Sequence, residues 1–303
     1  MTNFIPIAYH KKYKLKLPKN HRFPMEKYEL LPLQLINEGI SDKTHFFLPE
    51  YAKIADVLEI HDKAYVMKLI NLDLNKSEIR KIGFPLSKEL IDREFLITGG
   101  TIMGAEKALK YGISMNIAGG THHAFSDRGE AFCLLNDQAI AAKYLLKNKK
   151  INKILIIDLD VHQGNGTASI FKSNKNVFTF SMHGANNFPF KKEQSDLDIE
   201  LEDNTSDIIY IDKLEQTINH LINELKPQFI FYLSGVDVIN TDKLGRLSLS
   251  IEGCKKRDQI IFSICKNKEI PVQCSMGGGY SKDIKTIVNA HSNTFKVANE
   301  IFT

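Results

Sequence analysis

The sequence predicts a single α/β domain over residues 1–303, built on a doubly wound, mainly parallel sheet with helices on both faces. Short apolar runs rich in β-branched residues alternate with longer segments that show helical spacing. Alternation of this kind is typical of parallel strands joined by crossover helices. No linker rich in Pro, Gly or Ser interrupts it, which favours one domain over two.

The elements follow one another in regular order. The predicted strands are Phe4 to Tyr9, Ile113 to Ala118, Lys153 to Leu159, Val177 to Met182, Gln228 to Ser234 and Pro271 to Ser275. The predicted helices are Met25 to Glu38, Phe95 to Tyr111, Ala131 to Lys147, Ile208 to Leu225, Ile251 to Asn267 and Ser281 to Phe302. In open α/β sheets, ligands bind where loops leave the carboxyl ends of the strands, so candidate residues are sought there.

The composition is that of an ordinary globular protein. Lys and Arg number 40 against 36 Asp and Glu, and the resulting charge of +4 is too small to favour direct nucleic-acid binding. The basic stretch at residues 10–27 is interpreted as a solvated surface. Neither a leader pattern nor an uninterrupted apolar run of about 18 residues is found, so we expect a cytoplasmic, soluble protein without a membrane span.

Cysteine spacing gives no sign of a sulfur-rich zinc site or a disulfide framework, since no CxxC pair occurs. We interpret the cysteines as buried reduced thiols. They are Cys133, Cys254, Cys265 and Cys274.

One strand ends in a mixed carboxylate and imidazole motif. Because side chains alternate along an extended chain, Asp158, Asp160 and His162 point to the same side. An oxygen and a nitrogen donor two residues apart can reach one cation, and this donor set suits zinc, with iron(II) or cobalt as alternatives. For this motif alone, a strand end that simply enters solvent is an equal interpretation.

A second strand, QFIFYLSGVD, places Asp237 just past its end, where it could supply a third ligand. Three protein ligands leave a tetrahedral position open, which is typical of a catalytic rather than a structural zinc site. By itself, Asp237 is better explained as a turn or helix-capping residue.

Two further motifs follow strands. Adjacent imidazoles, His122 and His123, come directly after two glycines and suit proton transfer near neutral pH. In the run Met276 to Tyr280, glycines let the backbone approach a ligand and Tyr280 offers a hydroxyl donor. Taken singly these are loop histidines and a turn, but together the four motifs are typical of a metal-assisted amide hydrolase.

The ordered segments HRFPMEKY, GGTHHAFSDRGEAFCLLND, IIDLDVHQGNGT, SGVDVINTDKLGRLSLS and SMGGGYSKD resemble the histone deacetylase family. The resemblance implies the arginase-like fold of that family and hydrolysis of the amide of an N-ε-acyl-lysine. Three motifs resemble the class IV branch more than class I or II. They are HQGNG, SDRG, and DKLGRLSLS followed by KRD.

The resemblance also implies roles for the motif residues. Asp160, His162 and Asp237 would bind one zinc ion per chain. His123 would be the general base, His122 would tune the site electrostatically, and Asp158 would orient His122. Tyr280 would donate to the substrate carbonyl and then to the oxyanion. The residues Phe132, Gly278 and Gly279 would line the acyl-lysine channel, and a potassium ion would lie near Asp158, Asp160, His162 and Ser181.

Two positions depart from the common family pattern. Asn165 stands where many members carry an aspartate beside the second histidine, and class IV members share this asparagine. A neutral amide should raise the pKa of His123 less than a carboxylate would. Ala131 stands where a glycine commonly precedes the channel phenylalanine, which changes the expected channel width.

Several alternatives remain open at the level of sequence. Class IV relatives imply removal of long fatty acyl groups, whereas other members remove acetyl, and the sequence leans toward the former. A small acylated amine such as an acetylpolyamine could use the same site. A two-manganese ureohydrolase is disfavoured because Gly164 replaces the final aspartate of its metal motif. A metal-binding scaffold without activity is the non-enzymatic alternative, and the oligomeric state is unknown.

Overall fold

The computed structural model describes residues 4–149 and 151–303. In these residues eight strands form one sheet in which every neighbouring pair is parallel. The strands are β1 (Ile7–Ala8), β2 (Phe46–Phe47), β3 (Ile113–Asn116), β4 (Ile154–Asp158), β5 (Val177–Gly184), β6 (Leu197–Leu201), β7 (Phe229–Leu233) and β8 (Val272–Ser275). Their order across the sheet is β2-β1-β3-β8-β7-β4-β5-β6.

Two groups of helices cover the sheet, as the alternation predicts. The α-helices of the same residues are α1 (Lys27–Asn37), α2 (Ile54–Val57), α3 (Lys63–Ile70), α4 (Lys76–Ile82), α5 (Lys88–Tyr111), α6 (Asp137–Asn148), α7 (Asn165–Phe171), α8 (Asp207–Leu225), α9 (Ile251–Asn267) and α10 (Ile284–Phe302). Helix α5 packs on α6 and lies against β1, β3 and β8. Helix α10 packs against α1 and α9, and α9 packs against α8. The predicted doubly wound architecture is confirmed.

Four of the predicted strands are neighbours in the middle of the sheet. Strands β3, β8, β7 and β4 lie side by side, and all of their residues are buried. Because the strands are parallel, the segments that follow them leave the sheet at the same edge. The motifs that predicted the site therefore emerge from four adjacent strands.

The helix predicted over Ala131 to Lys147 begins later than expected, at Asp137. Ala131 and Phe132 have φ angles of 44° and 69°, which a right-handed helix excludes. The helix starts only after Asn136, whose side chain accepts a hydrogen bond from the backbone N–H of Ala139. The intervening residues form the wall of the site described below.

Some elements carry too little periodicity to have been predicted. Strand β2 has only two residues, and β6, with the sequence LDIEL, is mostly only partly buried. Helices α2, α3, α4 and α7 are between four and eight residues long. Among the described residues no helix has the length and apolar content needed to cross a membrane.

Gly99 in α5 lets that helix approach the loop between β2 and α2. A Cβ atom at Gly99 would lie 1.8 Å from the backbone oxygen of Glu50, whereas one at Gly104 would meet the Ser114 side chain at 3.2 Å. We expect Gly99→Ala to lower the free energy of unfolding by about 1–3 kcal/mol, because backbone rather than a side chain must move. Gly104→Ala is the matched control and should lose less, since alanine favours the helix. Urea denaturation of both variants measures the difference, and equal losses would contradict this packing.

Candidate active site

Two carboxylates and one imidazole converge at the carboxyl edge of the sheet. Asp160 and His162 follow β4, Asp237 follows β7, and one ligand atom from each lies within 4.8 Å of the others. The Nδ1 atom of His162 is 2.9 Å from Asp160 Oδ1 and 3.3 Å from Asp237 Oδ2. All three residues are buried. Their sequence-predicted proximity is thus present in the fold.

The remaining hydrogen bonds leave one oxygen without a partner. The backbone N–H of Val161 donates to Asp237 Oδ1 at 3.0 Å, and that of Gly278 donates to Asp160 Oδ2 at 2.9 Å. Asp237 Oδ2 is buried and has no hydrogen bond. Burial, with the Asp160 carboxylate nearby, raises the pKa of Asp237 to about 7. An oxygen- and nitrogen-binding divalent cation would satisfy this oxygen and offset the repulsion, so the three residues fit a metal ion such as zinc.

The two adjacent imidazoles lie beside these residues, with ring centroids 4.0 Å apart. His122 Nδ1 is 2.6 Å from Asp158 Oδ2, and His123 Nδ1 is 2.7 Å from Asn165 Oδ1. Both contacts fix the ring orientation and turn each Nε2 away from its partner.

The partners give the two histidines different proton affinities. Burial lowers the pKa of His122, but the Asp158 and Asp160 carboxylates outweigh it and the net shift is upward. Burial, together with His122 and His162, holds the pKa of His123 well below its usual range. The imidazole of His123 is therefore unprotonated at neutral pH and free to accept a proton, whereas His122 holds its proton more strongly.

Tyr280 closes the site at the end of the glycine run. Its ring centroid is 6.4 Å from that of His162 and 6.1 Å from that of Phe132. Its backbone N–H donates to Asp242 Oδ2 at 2.6 Å, which ties the glycine run to the loop after β7. Burial holds the pKa of Tyr280 well above its usual value, so the hydroxyl keeps its proton.

Aromatic side chains form the passage to these polar groups. Phe132 is 5.1 Å from both Phe23 and Phe84 between ring centroids. The backbone N–H groups of Ala131 and Phe132 donate to the carbonyls of Lys81 and Ile82 at 2.9 and 2.6 Å. Ala131 thus adopts the left-handed backbone that a glycine would adopt without strain.

Two glycines are required because polar side chains occupy the space beside them. A Cβ atom at Gly278 would lie 1.9 Å from Asp237 Oδ2, and one at Gly164 would lie 2.3 Å from Asp158 Oδ2. Gly278 therefore contacts the predicted metal ligands directly. Gly164, which replaces the third aspartate of the ureohydrolase pattern, leaves room for the contact between Asp158 and His122.

Comparison with known protein families shows which family this chain belongs to. The family model described as the histone deacetylase domain matches residues 21–295. The chain belongs to the histone deacetylase family. This confirms the family resemblance seen in the motifs and the deacetylase-like hydrolase class that it implies.

Relatives span nearly the whole chain. An uncharacterized protein from Picosynechococcus sp. is 39% identical over 297 residues, covering 98% of this chain and 99% of the relative. Histone deacetylase 2 from Arabidopsis thaliana is 27% identical and covers 94% of this chain and 76% of its own length. A solved HDAC homolog in complex with SAHA superimposes with a TM-score of 0.84 at 24% identity, covering 98% of this chain and 84% of that one. This last likeness shows the shared fold.

Arg257 supports the site of this deacetylase-family protein, although the sequence predicted no role for it beyond its place in the KRD motif. Its guanidinium is fully buried and donates to the carbonyls of Leu159, Ser234 and Gly235. These carbonyls belong to the two segments that carry Asp160 and Asp237. Asp258 pairs with Arg257 at 2.8 Å and so neutralises its charge. The signal was present in α9, where Arg257 shares a face with the buried Cys254 and Ile261.

Loss of the Arg257 contacts should weaken metal binding before it unfolds the protein. We expect Arg257→Lys, which keeps the charge but not the fork of donors, to lower zinc affinity about 10–100-fold, by analogy with other supports of metal ligands. Competition with a chromophoric chelator measures this affinity, and circular dichroism checks folding. The exposed Arg80 provides the control Arg80→Lys, and an Arg257→Lys affinity equal to that of the control would contradict the role.

Proposed function

We propose that the chain hydrolyses the amide of N-ε-acyl-lysine with the help of one zinc ion. The buried, unpartnered Asp237 Oδ2 beside Asp160 and His162, within reach of two imidazoles, carries this proposal. Membership in the histone deacetylase family supports it. The proposal treats residues 1–303 as one catalytic domain.

Asp160, His162 and Asp237 would hold the zinc. When bound, zinc would supply Lewis-acid polarisation of the substrate carbonyl and lower the pKa of water. Gly278 and Val161 keep the carboxylates oriented through their backbone N–H groups. The mixed oxygen and nitrogen donors match zinc better than magnesium or calcium.

His123 would take the proton of the attacking water and return it to the lysine amine as the C–N bond breaks. Asn165 orients its ring through Nδ1, and burial beside His122 and His162 keeps its pKa low, so that the ring is neutral. His122, whose pKa is raised by the Asp158 and Asp160 carboxylates against the effect of burial, would stabilise negative charge in the transition state when it is protonated. Each histidine thus has the partner that suits its role.

Tyr280 would donate its hydroxyl proton in a hydrogen bond to the substrate carbonyl oxygen, and more strongly to the oxyanion that develops from it. Because Asp242 holds the backbone of Tyr280, the donor is positioned before substrate binds. Phe132 would flank the methylene groups of the acylated lysine.

The inner end of the site is small. The cavity lined by Tyr280, His123, Tyr28, Arg93 and Ile97 has a volume of about 40 Å³. One water molecule needs roughly 10–15 Å³ of such space. This volume favours an acetyl group or a similarly short acyl group. The SDRG and KRD motifs, which resemble those of class IV members, favour a long acyl chain instead.

A potassium ion near Asp158 and Ser181 is also part of the proposal. These residues are aligned on neighbouring strands β4 and β5, and both are buried. Ser181 Oγ is 2.9 Å from His183 Nδ1, so its hydroxyl has a protein partner as well.

Replacement of Tyr280 by Phe separates an enzyme from an inactive scaffold. We expect kcat on an acetyl-lysine peptide to fall about 10²–10³-fold with little change in zinc content, since only an oxyanion donor is lost. Tyr144, whose hydroxyl bonds Glu106, supplies the control Tyr144→Phe, which should keep the wild-type rate. An unchanged kcat for Tyr280→Phe removes Tyr280 from the mechanism, and an inactive wild type supports the scaffold.

Acyl preference is tested with peptides that differ only in the acyl group. We expect kcat/KM for acetyl-lysine to exceed that for myristoyl-lysine by about tenfold or more, because a long chain overfills the inner cavity. Ile97→Ala enlarges that cavity and should narrow the difference. A wild-type preference for myristoyl would support the long-chain alternative and show that the cavity opens on binding.

A further inference from the structure

A second, larger cavity lies at the outer mouth of the channel. Its volume is about 610 Å³, and it opens directly onto His123, His162 and Tyr280. The chain attached to an acylated lysine in the site would therefore lie in this cavity. The charged residues that line it are Arg22, Lys81, Glu130, Lys243 and Arg246.

The charge of this mouth is predominantly positive. Glu130 is paired with Arg128 at 3.0 Å, and Arg246 with Asp203 at 3.2 Å. Among the residues that the structure describes, the other three cations of the mouth form no salt bridge. Arg22, Lys81 and Lys243 are also exposed to solvent, so their charges are available to a ligand.

These three cations are fixed around the channel by the segments that build it. The Arg22 guanidinium lies 4.9 Å from the centroid of the Phe132 ring. The carbonyl of Lys81 accepts a hydrogen bond from Ala131 at 2.9 Å. Lys243 directly follows Asp242, which holds the backbone of Tyr280. Three separate segments thus place positive charge around one opening rather than along one helix.

An apolar surface accompanies the charges. Phe188 and Phe190 line the same cavity, and their ring centroids are 6.5 Å apart. Phe190 is 89% exposed, although a large aromatic side chain gains free energy when it is covered. The mouth therefore offers both cations and an aromatic contact to a bound chain.

We propose that the mouth recognises an acidic peptide segment on either side of the acylated lysine. This inference rests on the proposed function and specifies its substrate class. Carboxylates near the acyl-lysine would approach Arg22, Lys81 and Lys243 under mutual attraction, which raises the association rate at low salt. A cationic small amine, such as an acylated polyamine, meets repulsion at the same opening. A ring of charge around a narrow opening suits a short peptide better than the extended track that a nucleic acid strand follows.

Three acetyl-lysine peptides with acidic, uncharged or basic flanking residues test the proposal. At low ionic strength we expect kcat/KM to be on the order of tenfold higher for the acidic than for the basic peptide, with the uncharged peptide between them. At high salt the three values should converge, because surface charges are screened. Equal values at low salt would overturn the proposal while leaving the hydrolase function intact.

Charge reversal at the mouth provides the matched comparison. The double variant Lys81→Glu/Lys243→Glu should invert the order of the acidic and basic peptides. The control Lys285→Glu/Lys296→Glu makes the same change in net charge at exposed positions of α10 and should retain the wild-type order. An inverted order in the control would assign the effect to net charge and contradict a local site.

Direct binding separates failure of the inference from failure of the proposed function. Fluorescence anisotropy of the labelled peptides measures affinity without turnover. If no peptide is hydrolysed, the hydrolase proposal fails, but tighter binding of the acidic peptide that is lost in the mouth variant still supports the inference. Equal affinity for all three peptides, or tighter binding of a single-stranded oligonucleotide, would overturn it.

Discussion

The close approach of two buried carboxylates, Asp160 and Asp237, is the constraint on which the rest of the site depends. Neither has a cationic side chain of Lys or Arg as its hydrogen-bond partner, and one oxygen of Asp237 makes no hydrogen bond, although His162 Nδ1 lies 3.3 Å from it. Two like charges in a dry interior repel unless a positive charge lies between them. A divalent cation bound there, with His162 as a neutral imidazole ligand, would supply that charge. The glycines, backbone donors and Arg257 around them are explained as the support of this arrangement.

The parallel sheet makes the arrangement possible. Since β3, β8, β7 and β4 are adjacent, the paired histidines, the glycine run and the three predicted ligands all leave one edge of the sheet. Rigid strands fix where each segment starts, and glycines such as Gly278 let the segments approach without steric conflict. Farther out, loop residues from three segments form the channel and its basic mouth.

Sequence periodicity predicted the central strands and long helices because each is a sustained buried pattern, but it failed where elements were short or where backbone conformation overrode propensity. The segment at Ala131 and Phe132 looked helical, yet its left-handed backbone postpones helix α6 to Asp137. The motif residues could be predicted because alternation along a strand fixes which side a side chain faces, and because residues that follow parallel strands meet at one edge of the sheet. Arg257 and Asp242 lie within motifs quoted for the class IV resemblance, but no role was predicted for them, because their partners are backbone carbonyl and N–H groups of segments distant in sequence.

Anomalous diffraction at the zinc absorption edge, from crystals grown with zinc, tests the central claim most directly. The account predicts one strong peak about 2.0–2.2 Å from a carboxylate oxygen of Asp160, a carboxylate oxygen of Asp237 and a ring nitrogen of His162. A peak bound elsewhere, or a zinc-bound Asp160 and His162 with Asp237 turned away, would contradict it.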